Sequence, residues 1–144
     1  MKNREQELNE ALEAMHFGFR AMVVKPDRRL AELGFSRIHH RILYFIGRNS
    51  LCSVSELLAI LGVTKQYLNR PLKTLISEVY INQQTDNLDR RIKRLSLTDL
   101  GNRLERELSG DQRQRFAEIF NQVGPDAEKH WRQVMQKLAG QIRF

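Results

Sequence analysis

Apolar residues recur through the first stretch of the chain as Leu8, Leu12, Met15, Phe19 and Met22, at spacings of four, three, four and three. That period places them on one stripe of a helix over residues 4–24. Glu5, Glu7, Glu10 and Glu13 fall largely off the stripe. Pro26 cannot donate a helix hydrogen bond and is predicted to stop the helix. Residues 27–34 then form a short connection with room for one helical turn, closing at Gly34. The stripe is long for packing on one small core, so contact with a partner chain is a second use for it.

The next apolar periods are shorter. Ser36 can N-cap a helix running through Asn49, with Ile38, Ile42, Phe45 and Ile46 on one face. Leu51, Cys52 and Ser53 make a short extended link. Ser53 or Ser55 opens a helix carrying Leu57, Leu58 and Leu61, which Gly62 ends. Thr64 caps a further helix from Lys65 to about Ser77, with Leu68, Leu72, Leu75 and Ile76 inward. Two short helices joined by Leu61-Gly62-Val63-Thr64 make a helix-turn-helix. Its second helix, with Thr64 at its cap, turns Lys65, Gln66, Asn69, Arg70 and Lys73 to solvent. Those residue types suit base edges and phosphates, although a solvated amphipathic face would carry them too.

The period then changes from helical to alternating. Val79-Tyr80-Ile81 and Leu95-Ser96-Leu97 are β-favouring runs around a polar turn, Thr85 to Asp89. Four cations follow the turn: Arg90, Arg91, Lys93 and Arg94. This pattern predicts a hairpin with a basic tip. Asp89 and Arg91 lie two apart, so their side chains can share one side of the ribbon as a stiffening pair. Arg90 is then left pointing outward. Thr98 ends the second strand and caps a helix over residues 98–123, with Asp99 in its first turn. Leu100, Leu104, Leu108, Phe116, Ile119, Phe120 and Val123 line that helix, and Ser109-Gly110-Asp111 is expected to bend or interrupt it. After Gly124-Pro125 a last helix carries Ala127, Trp131, Val134, Met135, Leu138 and Ile142.

Composition sharpens this picture at one point. The chain has 144 residues and a formal net charge of +7. Residues 1–34 balance six cations against six anions, whereas residues 62–98 hold seven against three. The excess therefore sits on the helix-turn-helix and hairpin, which favours an anionic partner. The single cysteine, Cys52, excludes an intrachain disulfide, and its setting suggests a small core residue rather than a redox sensor. No apolar run approaches the ~18 residues of a membrane span, and the charged N-terminus is unlike a signal peptide, so a cytoplasmic protein is expected. His16, His39 and His40 lack metal-ligand spacing, and no P-loop, dinucleotide turn, HExxH or GxSxG is present. We expect no catalytic residues, no metal and no cofactor.

From Asp89 to Gly101, the run DRRIKRLSLTDLG resembles the DRR…LxLTxxG signature of the MarR family of bacterial transcriptional regulators. Leu57 to Gln66 resembles the helix-turn-helix of the same family. The likeness covers nearly the whole chain. It implies a mainly α fold with a small β-wing, that is, an α+β winged helix-turn-helix over residues 35–98. Residues 1–34 and 99–144 would supply N- and C-terminal dimerisation helices. It further implies an obligate homodimer, expected to act as a repressor, on double-stranded DNA with a pseudo-palindromic operator. Thr64, Lys65, Gln66, Asn69, Arg70, Lys73, Arg90, Arg91 and Lys93 would meet the DNA, with Asp89 and Arg91 as wing scaffold. Many members release DNA when a small aromatic ligand binds, and Phe17, Phe35, His39 and Arg41 are the residues expected to gather around one. Two positions depart from the family pattern. Val79 stands where members commonly carry Gly before the first wing strand, so a different turn geometry is expected. Pro71 falls inside the recognition helix, where an unadapted helix loses roughly 3 kcal/mol. The competing interpretation is a winged-helix protein-interaction module whose basic wing binds an acidic partner.

Overall fold

The computed structural model describes residues 1–142. Six helices and three short strands follow in the order α1 (Arg4–Glu32), α2 (Arg37–Arg48), β1 (Cys52–Ser53), α3 (Val54–Leu61), α4 (Lys65–Ser77), β2 (Ile81–Thr85), β3 (Lys93–Leu97), α5 (Asp99–Val123) and α6 (Pro125–Ala139). The strands form an antiparallel sheet in the order β1-β3-β2. Cys52 pairs with Leu95, and the β2–β3 ribbon runs in register from Ile81–Leu97 to Thr85–Lys93. The extended link at Cys52 is thus a third strand. The ribbon starts and ends further out than the apolar runs alone suggested. It is a winged helix with long helices at both ends.

Leu30, Ile42, Leu43, Ile46, Leu57, Leu68, Leu75, Leu95 and Leu108 are fully buried. They come from the end of α1, from α2, α3, α4 and β3, and from the first half of α5. One core therefore welds the helix-turn-helix and the base of the wing to parts of α1 and α5. Four helix starts have local causes. Asn3, Ser53, Thr64 and Thr98 each accept a backbone N–H of the first turn through their side chains. At α2, the Ser36 N–H donates to Nδ1 of His39 (3.0 Å), so an imidazole does the work a Glu usually does in a capping box.

Pro26 does not stop α1. The helix runs on to Glu32, and Pro26 is buried in its interior with Val23 and Leu30. Proline deprives the Met22 carbonyl of its N–H partner. Nε2 of Gln112 on α5 fills that vacancy, donating to Met22 O at 3.2 Å. Burial of the ring and this replacement donor offset what the proline costs. Gly34, in left-handed conformation at φ 73°, then closes the segment as expected.

Ser109-Gly110-Asp111 likewise lies inside an uninterrupted α5. The glycine costs about 1 kcal/mol of helix propensity. Tertiary contacts outweigh it. Ser109 Oγ is hydrogen-bonded to Nε2 of buried His40 on α2 (2.9 Å), and Asp111 meets Lys25 of α1 at 3.5 Å.

The two ends of the chain are covered least. Leu8, Leu12, Met15 and Phe19 on α1 and Ile119 and Val123 on α5 are all half exposed or more. α6 buries no residue fully, although Trp131 meets Phe116 and Phe120 of α5 at ring distances of 5.2 and 5.3 Å.

Candidate nucleic-acid interface

α4 separates its faces cleanly. Leu68, Leu72 and Leu75 are buried, while Lys65, Gln66, Asn69, Arg70 and Lys73 are exposed. The helix contains no acidic residue, and among the described residues none of its three cations is within ion-pair distance of a carboxylate. Oγ1 of Thr64 accepts the Tyr67 N–H at 3.1 Å and fixes the helix start. Pro71 is half-buried within an unbroken helical span.

The end of α4 overturns the expectation about Val79. This residue takes φ 67°, the left-handed conformation that usually falls to Gly. The Tyr80 N–H reaches back to the Leu75 carbonyl at 2.9 Å and closes a Schellman-type cap. The turn keeps its geometry despite the β-branched side chain, which is tolerable because that side chain is exposed. Neighbours hold the strained residue in place. The Thr98 hydroxyl donates to the Val79 carbonyl at 2.6 Å and accepts the Gly101 N–H at 3.0 Å. α5 comes so close here that a Cβ on Gly101 would overlap the Tyr80 carbonyl oxygen. The recognition helix is therefore pinned at its far end to the start of α5.

The wing turn, residues 86–92, is built on two carboxylates. Oδ2 of Asp86 accepts the N–H groups of Leu88 (3.0 Å) and Asp89 (2.9 Å). Asp89 accepts the Arg91 backbone N–H at 3.0 Å and takes the Arg91 guanidinium through both oxygens, at 3.0 and 2.9 Å. These donors hold both acids below the usual carboxylate range. For Asp86 the Asp89 N–H contributes most, and for Asp89 the Arg91 side chain.

The four wing cations thus have different employment. Arg91 is bound to Asp89. Arg94 is a strut: Nε meets Asp86 at 3.1 Å, and Nη1 meets Glu56 of α3 at 3.2 Å. Ser53, the cap of α3, donates its hydroxyl to the same Glu56 oxygen at 3.2 Å. Lys93 donates to the uncharged Thr85 hydroxyl at 3.0 Å and makes no ion pair among the described residues. Arg90 is exposed and makes no ion pair among the described residues. The Asp86–Arg94–Glu56 tie escaped sequence reasoning. Its only trace there is opposite charge eight positions apart across a hairpin, and nothing local points to Glu56.

Phe35, His39, Arg41 and Phe17 do not form one group. Phe35 stacks on His39 at 4.6 Å and meets the edge of Tyr80 at 5.5 Å. Phe35 and Arg41 line a shallow cavity of about 420 Å³ with Asp27, Arg37 and Tyr67. His39 and Phe17 do not line it, and Phe17 meets the ring of His16 instead. Arg37 is neutralised there by Asp27, at 2.9 Å.

Comparison with known proteins bears on this arrangement. The HTH-type transcriptional regulator PetP of Rhodobacter capsulatus is 40% identical over 134 residues, covering 93% of this chain and 81% of that protein. Residues 33–92, from just before α2 to the wing turn, match the MarR family. The chain belongs to that family. The fold superposes on Streptococcus pneumoniae FabT in complex with DNA, with a TM-score of 0.79 at 20% identity, covering 94% of this chain and 95% of that one. It superposes on MarR itself with a TM-score of 0.67 at 22% identity, covering 93% and 96%. As a MarR-family protein this chain is a DNA-binding transcriptional regulator and not an enzyme. Among the described residues, no helix is long and apolar enough to cross a membrane.

Proposed function

We propose that this MarR-family protein is a cytoplasmic, dimeric repressor that grips a pseudo-palindromic operator with two winged helices. One observation carries the reading. Among the described residues, the cations on the exposed face of α4 have no carboxylate partner, and beside it stands a pinned wing whose Arg90 and Lys93 make no ion pair either. α4 would lie in the major groove, with Gln66 and Asn69 facing base edges and Lys65, Arg70 and Lys73 reaching edges or phosphates. Arg90 would enter the adjacent minor groove, where the negative potential concentrates. The half-exposed apolar faces of α1, α5 and α6 suit a second copy of the chain, which would double the grip.

Selection from a random duplex pool tests this directly. An inverted repeat should be enriched, with half-sites spaced by about one helical turn or a multiple of it. A pool left without consensus, combined with tight binding of acidic peptides, would favour the protein-interaction module instead.

An effector reading rests on the cavity beside Phe35. Arg41 lines it and makes no ion pair among the described residues, Asp27 being taken by Arg37, and Tyr67 brings in the recognition helix. A small aromatic acid could set its carboxylate on Arg41 and its ring against Phe35, and so disturb α4. Binding should raise the melting temperature and weaken operator affinity. A broad panel of aromatic acids that changed neither would rule out this effector class.

A further inference from the structure

The wing tip carries an apolar side chain in full view. Leu88 is 98% exposed, and among the described residues only the N-terminal Met1 is more so among large hydrophobics. A single exposed leucine is ordinarily unremarkable. This one is presented by a turn that is held rigidly from below. Its own N–H and that of Asp89 both bind the Asp86 carboxylate, which Arg94 anchors to α3 through Glu56. The two acids of the turn are covered by Arg91 and Arg94. Asn87, Leu88 and Arg90 remain exposed at the tip, and of these Leu88 is the apolar one and Arg90 the cation without an ion pair among the described residues.

We propose that Leu88 is a specificity-determining contact that enters the minor groove beside Arg90. This inference rests on the operator reading above. The groove is about 6 Å wide, and guanine alone projects an amino group into it. A leucine pressed along the groove would strip water from that amino group without offering it an acceptor, which is unfavourable. Over A·T pairs it meets no such donor and displaces water from apolar sugar surface. Leu88 therefore favours A·T under the wing by exclusion of guanine, while Arg90 supplies charge attraction that follows groove width and does not read the guanine amino group.

The experiment uses the full-length protein and the selected operator, with wing-facing steps as A·T, G·C or inosine·C. Inosine removes the minor-groove amino group and leaves the major groove unchanged. Wild type should prefer A·T and inosine·C over G·C. Leu88→Ala should bind the A·T operator about ten-fold more weakly, the size of partial leucine burial. Its gap between G·C and inosine·C should shrink, with an unchanged salt slope and melting temperature. Arg90→Ala, run alongside, should instead flatten the salt slope by about one unit and leave the gap standing. Leu88→Ala with wild-type affinity and discrimination on all three duplexes would overturn the inference while leaving the operator reading intact. A wild type with no preference for any selected duplex would overturn both.

Discussion

Carboxylates decide which wing cations stay available for a partner. Arg90→Ala should cost ~1–3 kcal/mol of operator affinity and leave the melting temperature unchanged, because the side chain is exposed and makes no ion pair among the described residues. Arg91→Ala should lower affinity and melting temperature together, since Asp89 loses its bidentate partner. Lys93→Ala should weaken binding to all duplexes alike, as expected of a phosphate contact. Operator titrations at several salt concentrations, with melts of the same variants, separate the three patterns. Protonation supplies a second residue-scale test. Desolvation is the main cause that lowers His40, hydrogen-bonded to Ser109, and His39, against Phe35, below the ordinary 6.5. The unfolded chain therefore takes up protons first, so stability is full above about pH 6.5 and declines as pH falls below it. Asp86 and Asp89, held below 3.8, add a second loss at lower pH, as each is protonated through its folded-state value. Melts from pH 8 to 5 should show the first decline, and His40→Gln should flatten it.

At the scale of elements, two tests concern α4. If the helix has adapted to Pro71, Pro71→Ala should shift the selected DNA sequence more than it shifts stability. A stabilised protein with unaltered selection would show that the proline is merely tolerated. Val79→Gly should stabilise the fold by roughly 0.5–1 kcal/mol, because relief of left-handed strain exceeds the added freedom of the unfolded chain. Operator affinity should not change, as the lost side chain is exposed. These elements also show what was legible in the chain. Caps at Ser53, Thr64 and Thr98 could be read because their chemistry acts within three residues. The exposed face of α4 followed from the helical period. Pro26 misled because its remedy, Gln112, lies 90 positions beyond Met22, whose carbonyl it serves. Ser109 misled because His40 lies 69 away, and the Arg94 strut could not be read because Glu56 lies 38 away. Cap chemistry and period are local, whereas repair of a broken rule depends on the fold.

At the scale of the whole molecule, the apolar faces of α1, α5 and α6 predict a homodimer burying about 2,000 Å² or more. Light scattering at micromolar concentration should return twice the chain mass, and a stable monomer would refute it. Removal of residues 1–24 should leave an aggregating protein, because it bares apolar surface on the remaining helices. A homodimer would place assembly and DNA binding on one framework, since α1 and α5 belong both to the core and to these faces. The bond between Gln112 and the Met22 carbonyl offers a way to watch that framework at work. Pro26 has no amide proton, so the carbonyl it orphans reports through a glutamine side chain instead. In a nitrogen-proton spectrum the two side-chain protons of Gln112 should separate widely, one shifted downfield and slow to exchange with solvent. Any operator or ligand that eases α1 away from α5 should collapse that separation toward the free-glutamine position, which gives a single resonance for following the motion in solution.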